Sequence, residues 1–223
     1  MNPLVLDKVS KTRGSGDRAV KVLHEVSLSV EAGEFILLQG PSGSGKTTLL
    51  AVGGGILTPD SGEVYLNGRR LYENSRALDR KQRAKALGFV FQRSNLLPHL
   101  SVRENILLMG RIAGLQPGEI ERDIDDLLSR LGLSQLRERY PHELSCGEEQ
   151  RVAVVRALVH RPLVVLADEP TSSLDSQTGQ AVAESLADLA KLRDSAVIVA
   201  THDIRIAPFA SRTVRIEDGR LRE

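Results

Sequence analysis

The stretch Gly40-Pro41-Ser42-Gly43-Ser44-Gly45-Lys46-Thr47 fits G-x-x-x-x-G-K-[ST], and few short patterns restrict a chain so tightly. Such a loop works only between a buried strand that feeds it and a helix that leaves it. Phe35-Ile36-Leu37-Leu38-Gln39 reads as that strand and Thr47-Thr48-Leu49-Leu50-Ala51-Val52 as that helix. Gly40, Gly43 and Gly45 let the backbone turn and approach a phosphate, so that successive N–H groups point inward as an anion nest. Lys46 brings a compact positive charge to the β- and γ-phosphates, and the Thr47 hydroxyl can ligate Mg²⁺. Pro41, Ser42, Ser44 and Thr48 complete the predicted binding loop, and the helix dipole adds to it. A glycine-rich surface turn with an incidental lysine would need neither the strand nor the helix.

Short β-rich runs precede the loop: Leu4–Leu6, Val20–Leu23 and Val26–Val30, with turns at residues 14–17 and 31–34. Gly53-Gly54-Gly55 should end the first helix. A strand at Glu63–Leu66 is followed by an Asn67-Gly68 hairpin turn. Residues 74–86 read as a charged, helical connector. Leu87–Phe91 is a buried strand ending at Gln92, and a helical pattern runs from Ser101 to about Tyr140. Ser101 and Glu104 form a capping box there, and Ile120, Ile124, Leu127, Leu128 and Leu131 mark an apolar face. Leu163–Ala167 and Ala196–Ala200 are apolar throughout, as central strands are. Between them Ser176–Arg193 reads as an amphipathic helix with Val182, Leu186 and Leu189 on one side. Thr213–Ile216, a turn at residues 217–219 and Arg220-Leu221 close the chain. The expectation is an α/β fold with a mainly parallel core sheet, an antiparallel N-terminal sheet and a helical insertion.

Composition narrows the function classes. A net charge of +1 and 3% aromatic residues argue against a nucleic-acid partner. One cysteine, Cys146, excludes an internal disulfide and suits a reducing compartment. The N-terminus lacks a basic segment followed by a long apolar core, so no signal peptide is expected. The apolar runs are too short to cross a bilayer, so any membrane role is expected to come through a partner.

Two further stretches carry chemistry. Asp168-Glu169 follows an apolar strand; Asp168 suits Mg²⁺, held through water, and Glu169 can polarise an attacking water. Ser145 and Glu148 make a capping box at another helix start, which alone explains them. That helix N-terminus is also an anion site, and this chain's own loop already has one, which points to a nucleotide held by another copy.

The order of these motifs resembles the ATP-binding subunits of ABC transporters over nearly the whole length. The matching features are the phosphate loop, Gln92, Leu144-Ser145-Cys146-Gly147-Glu148, Asp168-Glu169, Ser172-Ser173-Leu174-Asp175 and His202. The resemblance implies a P-loop NTPase with a RecA-like core. It implies one domain over 1–223, with core segments 1–92 and 161–223 and a helical, signature-bearing subdomain at about 93–160. It implies ATP and Mg²⁺ as cofactors, two copies meeting head to tail, and an integral-membrane permease that holds the chain on the cytoplasmic face. Each ATP would lie between one phosphate loop and the other copy's Ser145, Cys146, Gly147 and Glu148, with Asp175 crossing the interface. Glu169, His202 and Gln92 would be the catalytic set, and Thr47, Gln92 and Asp168 the metal set. Phe91-Gln92-Arg93-Ser94-Asn95-Leu96-Leu97-Pro98 and the short C-terminus resemble the branch that serves lipoprotein release and macrolide-type export. A non-transport cassette acting on a cytoplasmic or cell-division assembly is the alternative. Two departures stand out: Cys146 replaces the family's usual glycine, and Arg13 stands near the expected place of an adenine-stacking aromatic residue.

Overall fold

A computed structural model of the chain describes residues 2–73, 76–77, 80–172 and 174–222. Its centre is a sheet ordered β12-β11-β3-β10-β9-β8. Here β3 is Phe35–Gln39, β8 is Leu87–Val90, β9 is Val164–Asp168 and β10 is Ala196–Ala200. β11 is Arg212–Glu217 and β12 is Arg220–Arg222. The strands run parallel except for β12, which returns antiparallel beside β11. Every residue of β10 is buried, as a strand covered on both faces demands.

The two faces bury different partners. Phe35 and Leu37 of β3, with Val197 and Val199 of β10, pack against the helical side, α3 (Val102–Ile112), α4 (Pro117–Arg130), α5 (Cys146–Leu158) and α6 (Ser176–Arg193). Ile36, Leu38, Ile198 and Ala200 point the other way. They meet α1 (Lys46–Gly53) and the second sheet, ordered β2-β1-β4-β5, in which β1 is Leu4–Arg13, β2 Val20–Val30, β4 Ser61–Leu66 and β5 Arg69–Arg70. That sheet is antiparallel throughout. A side-chain period of two in the core strands thus sorts one set of residues between two hydrophobic clusters.

Register decides where function can lie. Ala200 of β10 pairs with Leu38 on one side and Asp168 on the other, and Val90 of β8 pairs with Ala167. The loop after β3, the acid ending β9, the segment after β10 and Gln92 beyond β8 therefore emerge along one carboxyl edge. Parallel α/β sheets place their ligands at such an edge.

Several expectations need correction. The runs Val20–Leu23 and Val26–Val30 belong to one strand, interrupted at Glu25, whose φ of 50° accompanies a shift of register between Val9 and Lys11 of β1. Within the connector 74–86, β7 (Arg76–Ala77) is a strand paired antiparallel with β6 (Tyr72–Glu73), and α2 spans Arg80–Ala86; residues 74–75 and 78–79 lie outside the described residues. The helical pattern of 101–140 divides into α3 and α4, which stop at Gly114 and Gly132, both with positive φ, before two short 3₁₀ turns. Leu163 lies outside β9 and is exposed. Phe91 lies just beyond β8. The capping box at Ser101, the Asn67-Gly68 turn between β4 and β5, and burial of Ile120, Ile124, Leu127 and Leu128 follow the expected pattern. The Leu189 side chain and residue Ser173 lie outside the described residues.

Candidate functional site

A cavity of about 620 Å³ opens along the carboxyl edge of the core sheet. Its wall includes Gly40, Pro41, Ser42, Gly43, Gly45, Lys46, Thr47 and Thr48 from the loop, and Gln92, Asp168, Glu169 and His202 from the neighbouring strand ends. Arg13 and Val22, from the second sheet, complete the rim. Val22 carries no sequence signal of its own; the pairing of β1 with β2 brings it there.

The loop is built for close approach. Gly45 precedes α1 with φ 109°, and a Cβ there would lie 2.8 Å from Val22 O; one on Gly40 would lie 2.1 Å from Ile216 O. Side chains at these two positions would push the loop off the sheet. α1 has no side-chain cap at its N-terminus, so its first amides are open to an acceptor. Lys46 Nζ donates to Gly40 O at 2.7 Å and Pro41 O at 3.0 Å, arching over the loop. Ser44 sits beneath, 4% exposed, with its Oγ unpartnered. Open amides, one ammonium and a buried orphan hydroxyl fit a phosphate chain.

The acids sit opposite. Burial pushes the Asp168 carboxyl above the usual range, although a hydrogen bond from Thr47 pulls the other way and Glu169 next door raises it further. The Asp168 carboxylate and the Thr47 hydroxyl bonded to it are hard oxygen donors, the kind that Mg²⁺ takes. Glu169 holds φ at 48°, in the left-handed region uncommon for a non-glycine residue. Its N–H donates to Ala200 O at 2.8 Å, and its carboxylate accepts from Thr201 Oγ1 at 2.8 Å. His202 Nδ1 lies 2.9 Å from the other carboxylate oxygen. A carboxylate accepts, so Nδ1 carries the proton and Nε2 remains for another partner. Three bonds to β10 and its exit thus offset the backbone strain and aim one carboxylate.

Ser145, Cys146, Gly147, Glu148 and Asp175 are absent from the wall of this cavity. Ser145 caps α5: Glu148 N donates to its Oγ at 3.3 Å, while Ser145 N and Oγ both donate to Glu148 Oε2 at 2.8 Å. That bonding, chiefly from the Ser145 amide, holds the Glu148 carboxyl below its usual range. Cys146 is exposed and begins the helix without a positive φ, so its backbone does not require glycine. Asp175 caps α6, its Oδ1 accepting from Gln177 N and Thr178 N at 3.0 Å each.

Side chains distant in sequence connect the residues around Gln92. Gln150 Nε2 donates to Phe91 O at 2.9 Å, and Ser94 Oγ to Glu149 at 2.7 Å. The Arg156 guanidinium donates to Ser94 O and Asn95 O, both at 2.7 Å. Burial lowers the Arg156 pKa from its ordinary value. Three residues of α5 therefore fasten the chain on both sides of Gln92, at Phe91 and at Ser94-Asn95. The only sequence trace is a glutamine, 2% exposed, on a helix otherwise buried through apolar residues.

A parallel core sheet, a glycine-cradled lysine loop and an acid pair at its carboxyl edge define a P-loop nucleotide hydrolase. The family described as ABC transporter matches residues 23–172, and the chain belongs to that family as an ATP-binding cassette, an ATPase that uses ATP and Mg²⁺. It is 41% identical over 219 residues to the protein named "Putative hemin import ATP-binding protein HrtA" of Staphylococcus haemolyticus, covering 98% of each chain. The HrtA of Staphylococcus aureus strain Newman is likewise 41% identical over 219 residues, with the same coverage. Among solved structures, the dimeric cassette MJ0796 in a post-hydrolysis state bound to ADP and Pi superposes with a TM-score of 0.88 at 36% identity, covering 99% of this chain and 97% of that one. The cbiO1 protein of Clostridium perfringens gives 0.83 at 27% identity, covering 100% and 87%.

Proposed function

We propose that the chain works as a head-to-tail homodimer that hydrolyses ATP at two shared sites and drives an integral-membrane permease. One observation carries this reading: the capped start of α5 lies outside the cavity that holds every other predicted group except Asp175 and the buried Ser44. A nucleotide on Gly40–Thr48 would meet Ser145–Glu148 only from a second copy, and MJ0796 supports this because its cassette was solved as a dimer.

In this reading Lys46 and the loop amides hold the phosphates, and Thr47, Gln92 and Asp168 hold the metal. When bound, Mg²⁺ neutralises charge between the phosphates. Glu169 takes the proton of the attacking water, His202 holds Glu169 and reaches the γ-phosphate, and Arg13 lies against the base. The cassette is one domain over 1–223, with residues 93–160 as the helical subdomain that answers to Gln92. Among the described residues no helix is long and apolar enough to cross a membrane, so a permease would hold the chain at the cytoplasmic face.

The Phe91–Pro98 stretch supports the exporter or lipid-extraction branch. The hemin import named for the relatives at 41% identity favours a second reading, uptake of a similar cargo. Inside-out vesicles carrying the cassette and its permease, with ATP outside, separate the two. Export accumulates hemin inside or releases an embedded lipid, whereas ATP-driven loss of preloaded hemin would sink the export reading. Replacing Glu169 with Gln tests the site itself, because an ATP-bound dimer should then persist.

A further inference from the structure

The segment that carries His202 is tied to the start of α6 by one guanidinium. Asp203, 12% exposed at its side chain, accepts from Thr171 Oγ1 at 2.6 Å and from the Arg205 amide at 3.0 Å. The Arg205 side chain adds Nε at 2.8 and 2.9 Å and Nη2 at 2.6 Å. Its remaining arm, Nη1, donates to Asp175 O at 2.9 Å. Thr171 and Asp175 both belong to the stretch that leaves Glu169, and Asp203 and Arg205 to the stretch that leaves His202. One side chain therefore spans the two segments that diverge from the acid and the histidine.

α6 makes room for this bond. A Cβ on Gly179 would lie 2.8 to 2.9 Å from Nη1, Cζ and Nη2 of Arg205. The far end of an arginine ordinarily yields to such an intrusion, but here both nitrogens near the glycine are committed, one to Asp203 and one to Asp175. Glycine is a poor helix former, and the guanidinium accounts for its place inside α6. The His202 side chain is 79% exposed, so besides its bond to Glu169 it is placed by the backbone that Arg205 anchors.

We propose that Arg205 is a positioning residue for hydrolysis, holding the His202 segment and the Asp175 segment as one body so that docking of a second copy at Asp175 fixes His202, already 2.9 Å from Glu169 in the single chain, in its place for turnover. The inference rests on the head-to-tail dimer reading. A bidentate guanidinium suits the task because its fork fixes an angle as well as a distance.

The test is steady-state hydrolysis by the full chain over a range of chain and ATP concentrations, with ATP affinity and thermal midpoint measured alongside. Arg205→Gln should lose about tenfold in kcat, the scale expected when a catalytic group shifts by less than an ångström, with KM and ATP affinity unchanged. Arg205→Lys, which keeps one charged bond to Asp203, should recover part of the loss. Gly179→Ala keeps every charge and favours the helix, yet it should lose turnover as Arg205→Gln does, without a fall in thermal midpoint. Full kcat in Arg205→Gln or in Gly179→Ala overturns the proposal. So does a loss in Arg205→Gln matched by equal falls in ATP affinity and thermal midpoint, because a merely structural role predicts that pattern. Wild-type turnover that does not vary with chain concentration would sink the dimer reading, and this inference with it; that result is read from the wild type alone.

Discussion

The starts of α1 and α5 would both meet phosphate in the proposed dimer, yet they are built in opposite ways. α1 begins uncapped behind a glycine cradle, with its amides open and Lys46 folded over them. α5 begins with its own cap closed, the Ser145 hydroxyl accepting from Glu148 N and giving its single proton to the Glu148 carboxylate. The first end is incomplete without an anion. The second is complete without one, and to donate to a phosphate Ser145 must first release Glu148. In the proposed dimer this difference would put the affinity for nucleotide at α1, and α5 would contribute only when a partner's phosphate competes with the cap.

The strongest way to break this contrast is to attack each end in turn. Lys46→Ala should abolish ATP binding by the single chain and lower hydrolysis by at least about 100-fold, the scale of losing one preorganised charge at a reacting phosphate. Glu169→Gln should lower hydrolysis by about 100-fold or more, as loss of a general base does, while ATP binding persists and a dimer accumulates on size exclusion. Ser145→Ala should cost about 1 kcal/mol of stability through the lost cap and lower kcat, with equilibrium ATP binding untouched. A Ser145→Ala chain that bound ATP as weakly as Lys46→Ala would erase the distinction.

Acid sharpens the same comparison by a smaller effect, because the carboxylates near the two ends shift in opposite directions. Asp168 is raised by burial, so its charged form is lost first as pH falls, and Mg²⁺ affinity should drop at a pH above the usual aspartate range. Glu148 is lowered by the Ser145 bonds. Its cap is fully present above the unfolded glutamate pKa and is lost only as pH falls below that value. Mg²⁺ titrations from neutral pH downward should show the first loss while the cap survives, and Asp168→Asn should flatten the profile. The smallest effect expected is a few-fold gain in turnover from Cys146→Gly, corresponding to less than about 1 kcal/mol of barrier. The helical backbone at Cys146 asks for no glycine, so any gain must come from removing a side chain that would face the partner in the proposed dimer. An unchanged or lower rate would refute that reading.

The phosphate loop, its strand and its helix were legible because each obeys a local rule: glycine spacing, an apolar run, a helix start. The acid pair was legible for the same reason, as an apolar strand ending in Asp168-Glu169. Two kinds of feature left little local trace. The merging of Val20–Leu23 with Val26–Val30 depends on Glu25 taking a positive φ within an antiparallel pair, an irregularity that breaks the period-two pattern used to find strands. The ties from Gln150 and Arg156 to the backbone on either side of Gln92 join side chains to carbonyls some 60 residues away, and a carbonyl has no residue identity to read. The positive φ of Glu169 was invisible for a related reason, since the bonds that hold it come from the end of β10 and the residue after it.

The exposed thiol of Cys146 has a practical consequence. It is the chain's single cysteine, and it stands at the surface that the proposed dimer would bury. The protein therefore carries its own footprinting probe, and its alkylation rate by a maleimide should report closure. Labelling should be fast in the isolated chain, slow with ATP in a Glu169→Gln background, and fast again once nucleotide is removed.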